Sequence, residues 1–222
     1  MMMKNIKISN EENKNRNKPW QNTLVVIGIL LAFLIGFIGG VPSPIALLGF
    51  IIVIGIWLFY IKDLKSLGII KENLIKNAFL GAIIGIVVAV VILSLRLNFP
   101  ETSAHFFQLP VIFTEKTGIE SPNIIRILFP ISYILGSLLH ELFYRGFLQN
   151  RLSTHIKPVY SILLVASLFG WGHLPAGIYS SITGFYEGII CGALFYKTGS
   201  IISPWSFRVF HMGTILIVLG VI

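Results

Sequence analysis

The sequence is poor in charged residues and has almost no cysteine. Only 12% of its 222 residues are charged, and Cys191 is its one cysteine. Soluble domains carry about 25% charged residues, so the low value argues against an ordinary soluble domain. A single cysteine cannot form a disulfide within the chain, and it excludes a structural zinc site built on two or more cysteines of one chain.

Long apolar runs fill most of the chain instead. Hydrophobic residues make up 55% of the sequence, and the mean hydropathy is +0.84. Because a helix of about 20 apolar residues crosses a bilayer, these values predict an all-α, polytopic membrane bundle of about seven transmembrane helices. The predicted spans are Thr23–Phe37, Ile45–Ile61, Ala78–Leu95, Ile124–Asn150, Val159–Trp171, Ile178–Tyr196 and Ile201–Ile222.

The chain divides into a short tail and one membrane domain. Residues 1–20 are polar and basic, and they are predicted to be a disordered tail because they cannot bury a core. Residues 21–222 are predicted to form a single membrane domain, with its functional core at about 122–216. A basic stretch before the first apolar run is also typical of a secretory signal. The long polar lead and the lack of a clear cleavage site favour a retained span.

Basic residues outnumber acidic ones, 17 to 9, for a net charge of +8. They flank apolar segments rather than clustering on one folded face, so we predict no nucleic-acid partner. Their distribution among the loops follows the positive-inside rule. It predicts a cytoplasmic N-terminus and a multi-pass protein of the cell membrane, with the lipid bilayer as a partner.

Ionisable residues interrupt the fourth predicted span. A charged group at the centre of a bilayer costs at least about 2.5–3.5 kcal/mol, yet His140, Glu141 and Arg145 occur within six residues. Other helices, a water-filled cavity or a metal must solvate them. Glu141 and Arg145 are four residues apart, so they share a helix face and can pair. His140 lies about 100° from Glu141 around the helix, and both can face one cavity.

Two later spans add more polar groups. The fifth ends in Phe169-Gly-Trp-Gly-His173, whose glycines allow another backbone to approach closely. In the seventh span Arg208 and His211 are three residues apart and share a face. Glu187 is the acidic residue of the sixth span that can pair with Arg208.

Each of these groups also has a purely structural interpretation. A lone histidine in a membrane often bonds a neighbouring helix, a Glu–Arg pair can lock two helices together, and Arg145 and Arg208 can snorkel. Phe169, Trp171 and Tyr144 are predicted to be packing residues. Three histidines and a glutamate on three spans favour a shared site, but they do not define a reaction.

His140-Glu141 matches the first half of the zinc-protease motif H-E-x-x-H. Tyr144 stands where the motif requires its second histidine, so the sequence does not predict a zinc protease of the soluble type.

The order and spacing of the motifs resemble the CPBP family of intramembrane metalloproteases. That family includes the CAAX endopeptidases, which trim prenylated proteins, and the Abi proteins linked to bacteriocin processing and self-immunity. Its pattern is E-E-x-x-x-R, then F-x-x-x-H, then H-x-x-x-N or a similar polar residue. The matching segments here are His140-Glu141-x-x-x-Arg145, Phe169-x-x-x-His173 and His211-x-x-x-Ile215.

The resemblance covers about residues 124–215 and implies an endopeptidase. Such an enzyme cleaves a membrane-associated or prenylated peptide by metal- and glutamate-assisted attack of water. Two residues depart from the pattern: His140 replaces the first glutamate, and Ile215 replaces the last polar residue. Thr214, the nearest polar residue, lies about 100° from the expected face.

Two outcomes follow from these departures. In the first, His140, His173 and His211 bind Zn²⁺ or another divalent metal and leave a fourth position for water. Glu141 is then the general base, and Arg145 orients it or stabilises the oxyanion. In the second, catalysis is impaired and the protein binds a membrane peptide or partner, for example in bacteriocin self-immunity.

The depth of the histidines in the membrane bears on the metal hypothesis. A count along straight helices separates His140 and His173 by roughly 15 Å in depth, which is too far for one metal.

A transporter or channel is the third class of function. It is disfavoured because the charged and histidine residues of the spans cluster in the C-terminal half, without the matching pattern that inverted repeats require.

Overall fold

The computed structural model describes residues 19–35, 44–61, 64–98 and 122–218, which form helices and turns without a strand. Seven long helices occur in these ranges. They are α1 (Pro19–Ile35), α2 (Pro44–Ile61), α3 (Leu74–Asn98), α4 (Pro122–Glu141), α5 (Pro158–Gly172), α6 (Ile178–Thr198) and α7 (Ile202–Val218). Short 3₁₀ turns lie at Leu64–Leu67 and Leu174–Ala176. The predicted helical membrane bundle is confirmed.

The helices match the predicted spans in order and closely in position. α5 and α6 each agree with prediction to within two residues at either end, whereas α3 begins four residues earlier than predicted. Pro158 at the first position of α5 fits because the first helical residue needs no intrahelical N–H bond. α6 ends at Thr198 and is followed by Gly199, whose φ of 66° is left-handed and favours glycine. The predicted disordered tail lies mostly outside the described residues, as does most of the acidic loop after the third span.

The outer surface of the bundle is apolar, as a bilayer requires. Among the described residues, three helices are long and apolar enough to cross a membrane, namely Leu74–Leu95, Ile127–Leu152 and Ile178–Thr198. Three shorter apolar helices are Trp20–Leu34, Leu47–Tyr60 and Pro158–Gly172. Large exposed side chains include Leu30, Phe59, Ile75, Ile83 and Val159. Soluble proteins seldom expose so much contiguous apolar surface.

The fourth predicted span is not one regular α-helix. α4 passes directly into a π-helix, Leu142–Gln149, and then into the helical turn Asn150–Leu152. Single-turn π segments inside α-helices are frequent at functional sites. Gly146 lies in this segment where a Cβ would collide with the carbonyl oxygen of Leu67. Gln149 fastens it to α6 by donating from Nε2 to the oxygen of Gly192 at 2.9 Å.

Two glycines allow α3 to lie directly against α7. A Cβ at Gly81 would collide with the oxygen of Ser203 and lie 2.9 Å from the nitrogen of Phe207. A Cβ at Gly85 would lie 2.5 Å from the oxygen of Phe207. Small residues at such positions let membrane helices pack backbone to backbone. This contact positions α7, which carries the polar residues of the last motif.

We expect Gly81→Val to lower the free energy of unfolding by about 1–3 kcal/mol, the usual cost of overpacking. Reversible unfolding in mixed micelles measures the change. Gly55→Val is the matched control, because nothing lies within 4 Å of a Cβ at Gly55. Equal losses in the two variants would contradict the close approach of α3 and α7.

Candidate functional site

Residues of the first two sequence motifs and Arg208 of α7 meet at the ring of Phe169, on α5. The guanidinium carbons of Arg145 and Arg208 lie 5.5 and 4.8 Å from its centre. The ring centres of His140 and His173 lie 6.1 and 4.6 Å from it. We refer to these five residues as the Phe169 cluster. It brings together side chains of α4, the π-helix, the end of α5 and α7.

Arg208 contacts two neighbouring residues at the end of α4. Its Nη1 lies 3.3 Å from Nδ1 of His140 and 3.5 Å from Oε1 of Glu141. Because a guanidinium has no acceptor, Arg208 donates to His140, and Nδ1 is the unprotonated nitrogen. A neutral His140 therefore carries its hydrogen on Nε2. That nitrogen is buried and has no hydrogen-bond partner within the described ranges.

Glu141 lies between two guanidinium groups. Its Oε2 is 3.4 Å from Nε of Arg145, and its side chain is 1% exposed against 0% for Arg145. Its other oxygen faces Arg208 at 3.5 Å. The Glu141–Arg145 pair predicted from the sequence is confirmed. Because the side chain is buried and each carboxylate oxygen faces a guanidinium, this is an unfavourable setting for the predicted general base.

Glu187 of α6 receives two groups from α7. Its Oε2 lies 3.7 Å from Nε of Arg208, which confirms the predicted ion pair. Its Oε1 lies 3.2 Å from Nδ1 of His211. The other nitrogen of His211 is 3.5 Å from the hydroxyl of Tyr186, and its ring stacks on Phe207 at 5.5 Å. These contacts place His211 beside Glu187 rather than against the Phe169 ring.

His173 has the opposite tautomer to His140. Its Nδ1 lies 2.8 Å from the carbonyl oxygen of Phe169. A carbonyl only accepts, so Nδ1 carries the hydrogen and Nε2 keeps a free lone pair. The carbonyl is available because α5 ends at Gly172, which leaves its last carbonyls without intrahelical partners. His173 is half-buried, unlike the fully buried His140.

Several buried donors around the cluster have no hydrogen-bond partner in the described part of the chain. They are the three guanidinium nitrogens of Arg145, Nε of Arg208, Nε2 of His140 and the hydroxyl of Tyr144. An unsatisfied buried donor costs about 1–3 kcal/mol. These groups therefore favour an occupant with acceptor oxygens, such as water or a peptide carbonyl.

The arrangement does not fit the predicted three-histidine metal site. No group of three or more His, Cys, Asp or Glu in the described residues is placed to hold a metal ion. Nδ1 of His140 accepts from a guanidinium, Nδ1 of His173 donates to a carbonyl, and His211 lies against Glu187. The cationic Arg208 thus approaches the position at which ligands would have to converge. Zinc remains a prediction that this geometry does not support.

From this geometry we expect purified protein to contain far less than one zinc per chain. Elemental analysis of detergent-purified wild type measures it. The matched variants are His173→Ala and His155→Ala, since His155 is exposed and lies outside the cluster. Stoichiometric zinc that is lost only in His173→Ala would show that the histidines adopt the ligand geometry instead.

The predicted separation in depth between His140 and His173 is wrong. Both rings contact Phe169, at 6.1 and 4.6 Å. The estimate assumed straight α-helices, but α4 contains Pro130 and continues as a π-helix. Both features change the direction or rise of a helix.

A groove of about 320 Å³ lies between α5 and α6. Its walls are formed by Ser167, Gly170, Trp171, Ser181, Ile182 and Phe185. A Cβ at Gly170 would lie 2.8 Å from the oxygen of Ser181, which confirms the predicted close approach at this glycine. A Cβ at Gly184 would lie 2.8 Å from Nδ1 of His173. The glycines thus allow α6 to lie close to α5 and to His173.

The fold and site define a helical membrane protein with buried His, Glu and Arg side chains shared among several helices. Residues 122–214 match the family model of type II CAAX prenyl endopeptidases, Rce1-like. This region of the chain is similar to that family, which confirms the resemblance to CAAX proteases. It starts with α4 and contains the Phe169 cluster, Glu141, Glu187 and His211. No curated protein matches the chain.

Two residues make more contacts within the site than the sequence indicated. Phe169 was predicted to be a packing residue, yet its ring lies at the centre of the cluster. Arg208 was expected to pair with Glu187, but it also contacts His140 and Glu141. A buried arginine in an apolar helix indicates that carboxylates from other helices lie close to it. Which helices supply them depends on packing that one sequence does not display.

Proposed function

We propose that the protein is an intramembrane endopeptidase of the CAAX type that cleaves a membrane-associated peptide near a prenylated cysteine. The observation that carries this proposal is the Phe169 cluster, in which two histidines of opposite tautomer lie beside unsatisfied donors. One histidine offers a lone pair and the other offers an N–H group, the two requirements for adding water to a peptide carbonyl.

His173 is the proposed general base. Its Nδ1–H bond to Phe169 fixes the ring and leaves Nε2 to accept a proton from water. The resulting hydroxide adds to the carbonyl carbon of the scissile bond. When the C–N bond breaks, His173 returns the proton to the leaving amine, so the base is regenerated. Its partial exposure suits a residue that meets both water and peptide.

His140 and Arg145 are the proposed oxyanion donors. The Nε2–H group of His140 and the guanidinium nitrogens of Arg145 are buried and unsatisfied within the described ranges. Negative charge on the carbonyl oxygen gives these groups a partner, and such donors act most strongly in a water-poor site. Glu141 then holds Arg145 and Arg208 in place through its two ion pairs rather than accepting the proton.

The apolar groove between α5 and α6 is the proposed path for the peptide and its prenyl group. Its lining includes Trp171, two residues before His173, and a lipid-attached substrate arrives from the bilayer along apolar surface. A multi-pass position in the cell membrane, with the N-terminus inside, fits this route.

A cleavage assay in liposomes tests the substrate class. The reconstituted protein receives two synthetic peptides of equal sequence, with a farnesylated or a free cysteine four residues from the C-terminus, and mass spectrometry identifies the products. We expect release of a C-terminal tripeptide from the farnesylated peptide. Equal cleavage of both peptides would overturn the prenyl requirement, and no cleavage of either would oppose the endopeptidase proposal.

A second candidate is a non-hydrolytic family member that binds a membrane peptide or partner. Two observations favour it: His140 replaces the first motif glutamate, and Arg208 contacts His140, Glu141 and Glu187 at once. Groups committed to internal ion pairs are well suited to holding helices together.

His140→Glu separates the two candidates. It restores the glutamate of the family pattern but removes the proposed oxyanion donor, whose loss typically costs about 10²–10³ in kcat. We expect cleavage to fall in His140→Glu and to fall less in His140→Gln, whose amide keeps an N–H donor. Cleavage that appears only in His140→Glu would show that the wild type is a binding protein.

A further inference from the structure

We infer that Arg208 is the positioning residue of this site. Its role is to fix the tautomer of His140 and to join α4 and α6 through one guanidinium. The tautomer follows from geometry alone, whereas its use in catalysis rests on the proposed function. Neither the family pattern nor the sequence motifs assign a role to this position.

The guanidinium of Arg208 is placed for several partners at once. Its Nη1 reaches His140 at 3.3 Å and Glu141 at 3.5 Å. Its Nε lies 3.7 Å from Glu187. The three partners come from two helices, and Arg208 itself is nearly fully buried on a third. A planar guanidinium with five donor hydrogens can contact all three partners at once, whereas the single nitrogen of a lysine cannot.

Aromatic rings hold this guanidinium from two further sides. Its central carbon lies 4.8 Å from the ring centre of Phe169 and 5.7 Å from that of Tyr133. Cation–π contacts are strongest when the cation is desolvated, as Arg208 is here. They restrict the plane of the guanidinium, and therefore the direction in which it donates to His140.

The consequence is chemical as well as structural. With a donor at Nδ1, a neutral His140 keeps its hydrogen on Nε2, so it can donate to a substrate oxygen. Without Arg208, neither ring nitrogen is assigned and His140 samples both tautomers. The part of the population with the hydrogen on Nδ1 then presents a lone pair to the oxyanion instead of a hydrogen. Arg208 thus acts through His140, without itself reaching the reacting atoms.

Nitrogen NMR of protein labelled with ¹⁵N-histidine tests this inference without a substrate. The chain has five histidines, and His140→Gln assigns the signal of His140. We expect a single Nε2–H tautomer in the wild type and a mixture, or the Nδ1–H form, in Arg208→Lys and Arg208→Gln. Arg151→Lys is the control, because Arg151 is also buried but contacts Gln21 and Trp57 instead.

Cleavage rates complete the experiment. We expect kcat to fall about 10- to 100-fold in Arg208→Lys, with little change in KM and with unchanged values in Arg151→Lys. An Nδ1–H tautomer in the wild type would overturn the inference even if no Arg208 variant folds. So would an unchanged tautomer in folded Arg208→Lys. A wild type with the Nε2–H tautomer but without turnover would leave this inference standing and refute the proposed function.

Discussion

Glu141→Gln is expected to lower the free energy of unfolding by about 3–5 kcal/mol, the usual cost of leaving one member of a buried ion pair uncompensated. Arg145 is 0% exposed and its paired carboxylate is that of Glu141, at 3.4 Å. None of its guanidinium nitrogens has a hydrogen-bond partner in the described residues. Glutamine keeps the shape but removes the charge, so a guanidinium would remain buried without its counter-ion.

The exposed pair Lys65–Glu72 provides the control. Its atoms are 3.8 Å apart and its side chains are 71% and 63% exposed. Exposed pairs contribute about 0–1 kcal/mol, so Glu72→Gln should change stability little. Unfolding in mixed micelles measures both variants under the same conditions.

A double-mutant cycle identifies the cause of the loss. Combining Glu141→Gln with Arg145→Met removes both charges, so the double variant should lose less than the sum of the single losses. Additive losses would mean that Glu141 and Arg145 do not interact. If Glu141→Gln alone were as stable as wild type, another carboxylate or water would have to solvate the guanidinium of Arg145.

His173→Ala is expected to lower kcat by about 10²–10⁴, the contribution typical of a general base. Its Nε2 is the lone pair that the bond from Nδ1 to Phe169 leaves free. Because the side chain is half-buried at the end of α5, its removal should disturb the fold less than the change at Glu141. Cleavage kinetics and unfolding of the same preparations separate the two effects.

The control for this variant is His155→Ala, which removes an exposed histidine that follows Leu152. It should retain wild-type kcat. Near-normal turnover in His173→Ala would show that His173 is not the general base. Glu141 would then be the candidate for that role.

The fold was predictable because hydropathy alone identifies membrane helices. The ends of α5 and α6 carried additional local signals, Pro158 and Gly199, and those boundaries were accurate. The π-helix was not predictable, because its i, i+5 bonds leave no distinct pattern in residues 142–149. It also lies where Gly146 accommodates the carbonyl of Leu67, a contact between segments far apart in the sequence.

The site was predictable in its members and less so in its geometry. Glu141–Arg145 and Arg208–Glu187 were inferred correctly, because buried charges require counter-charges and few were available. Three histidines suggested a metal, but one sequence does not reveal which nitrogen of each ring is already engaged. The bonds at His140 and His173 decide that question, and both depend on neighbours placed by tertiary structure and helix ends.

Isotope incorporation from water is the most direct measurement of the central claim, that the Phe169 cluster hydrolyses a peptide bond. Reconstituted wild type and His173→Ala are incubated with the farnesylated peptide in H₂¹⁸O, and the products are analysed by mass spectrometry. We expect one ¹⁸O atom in the new carboxyl group of the wild-type product and little product from His173→Ala. A farnesylated peptide that binds the wild type and is recovered intact, without ¹⁸O, would contradict this claim.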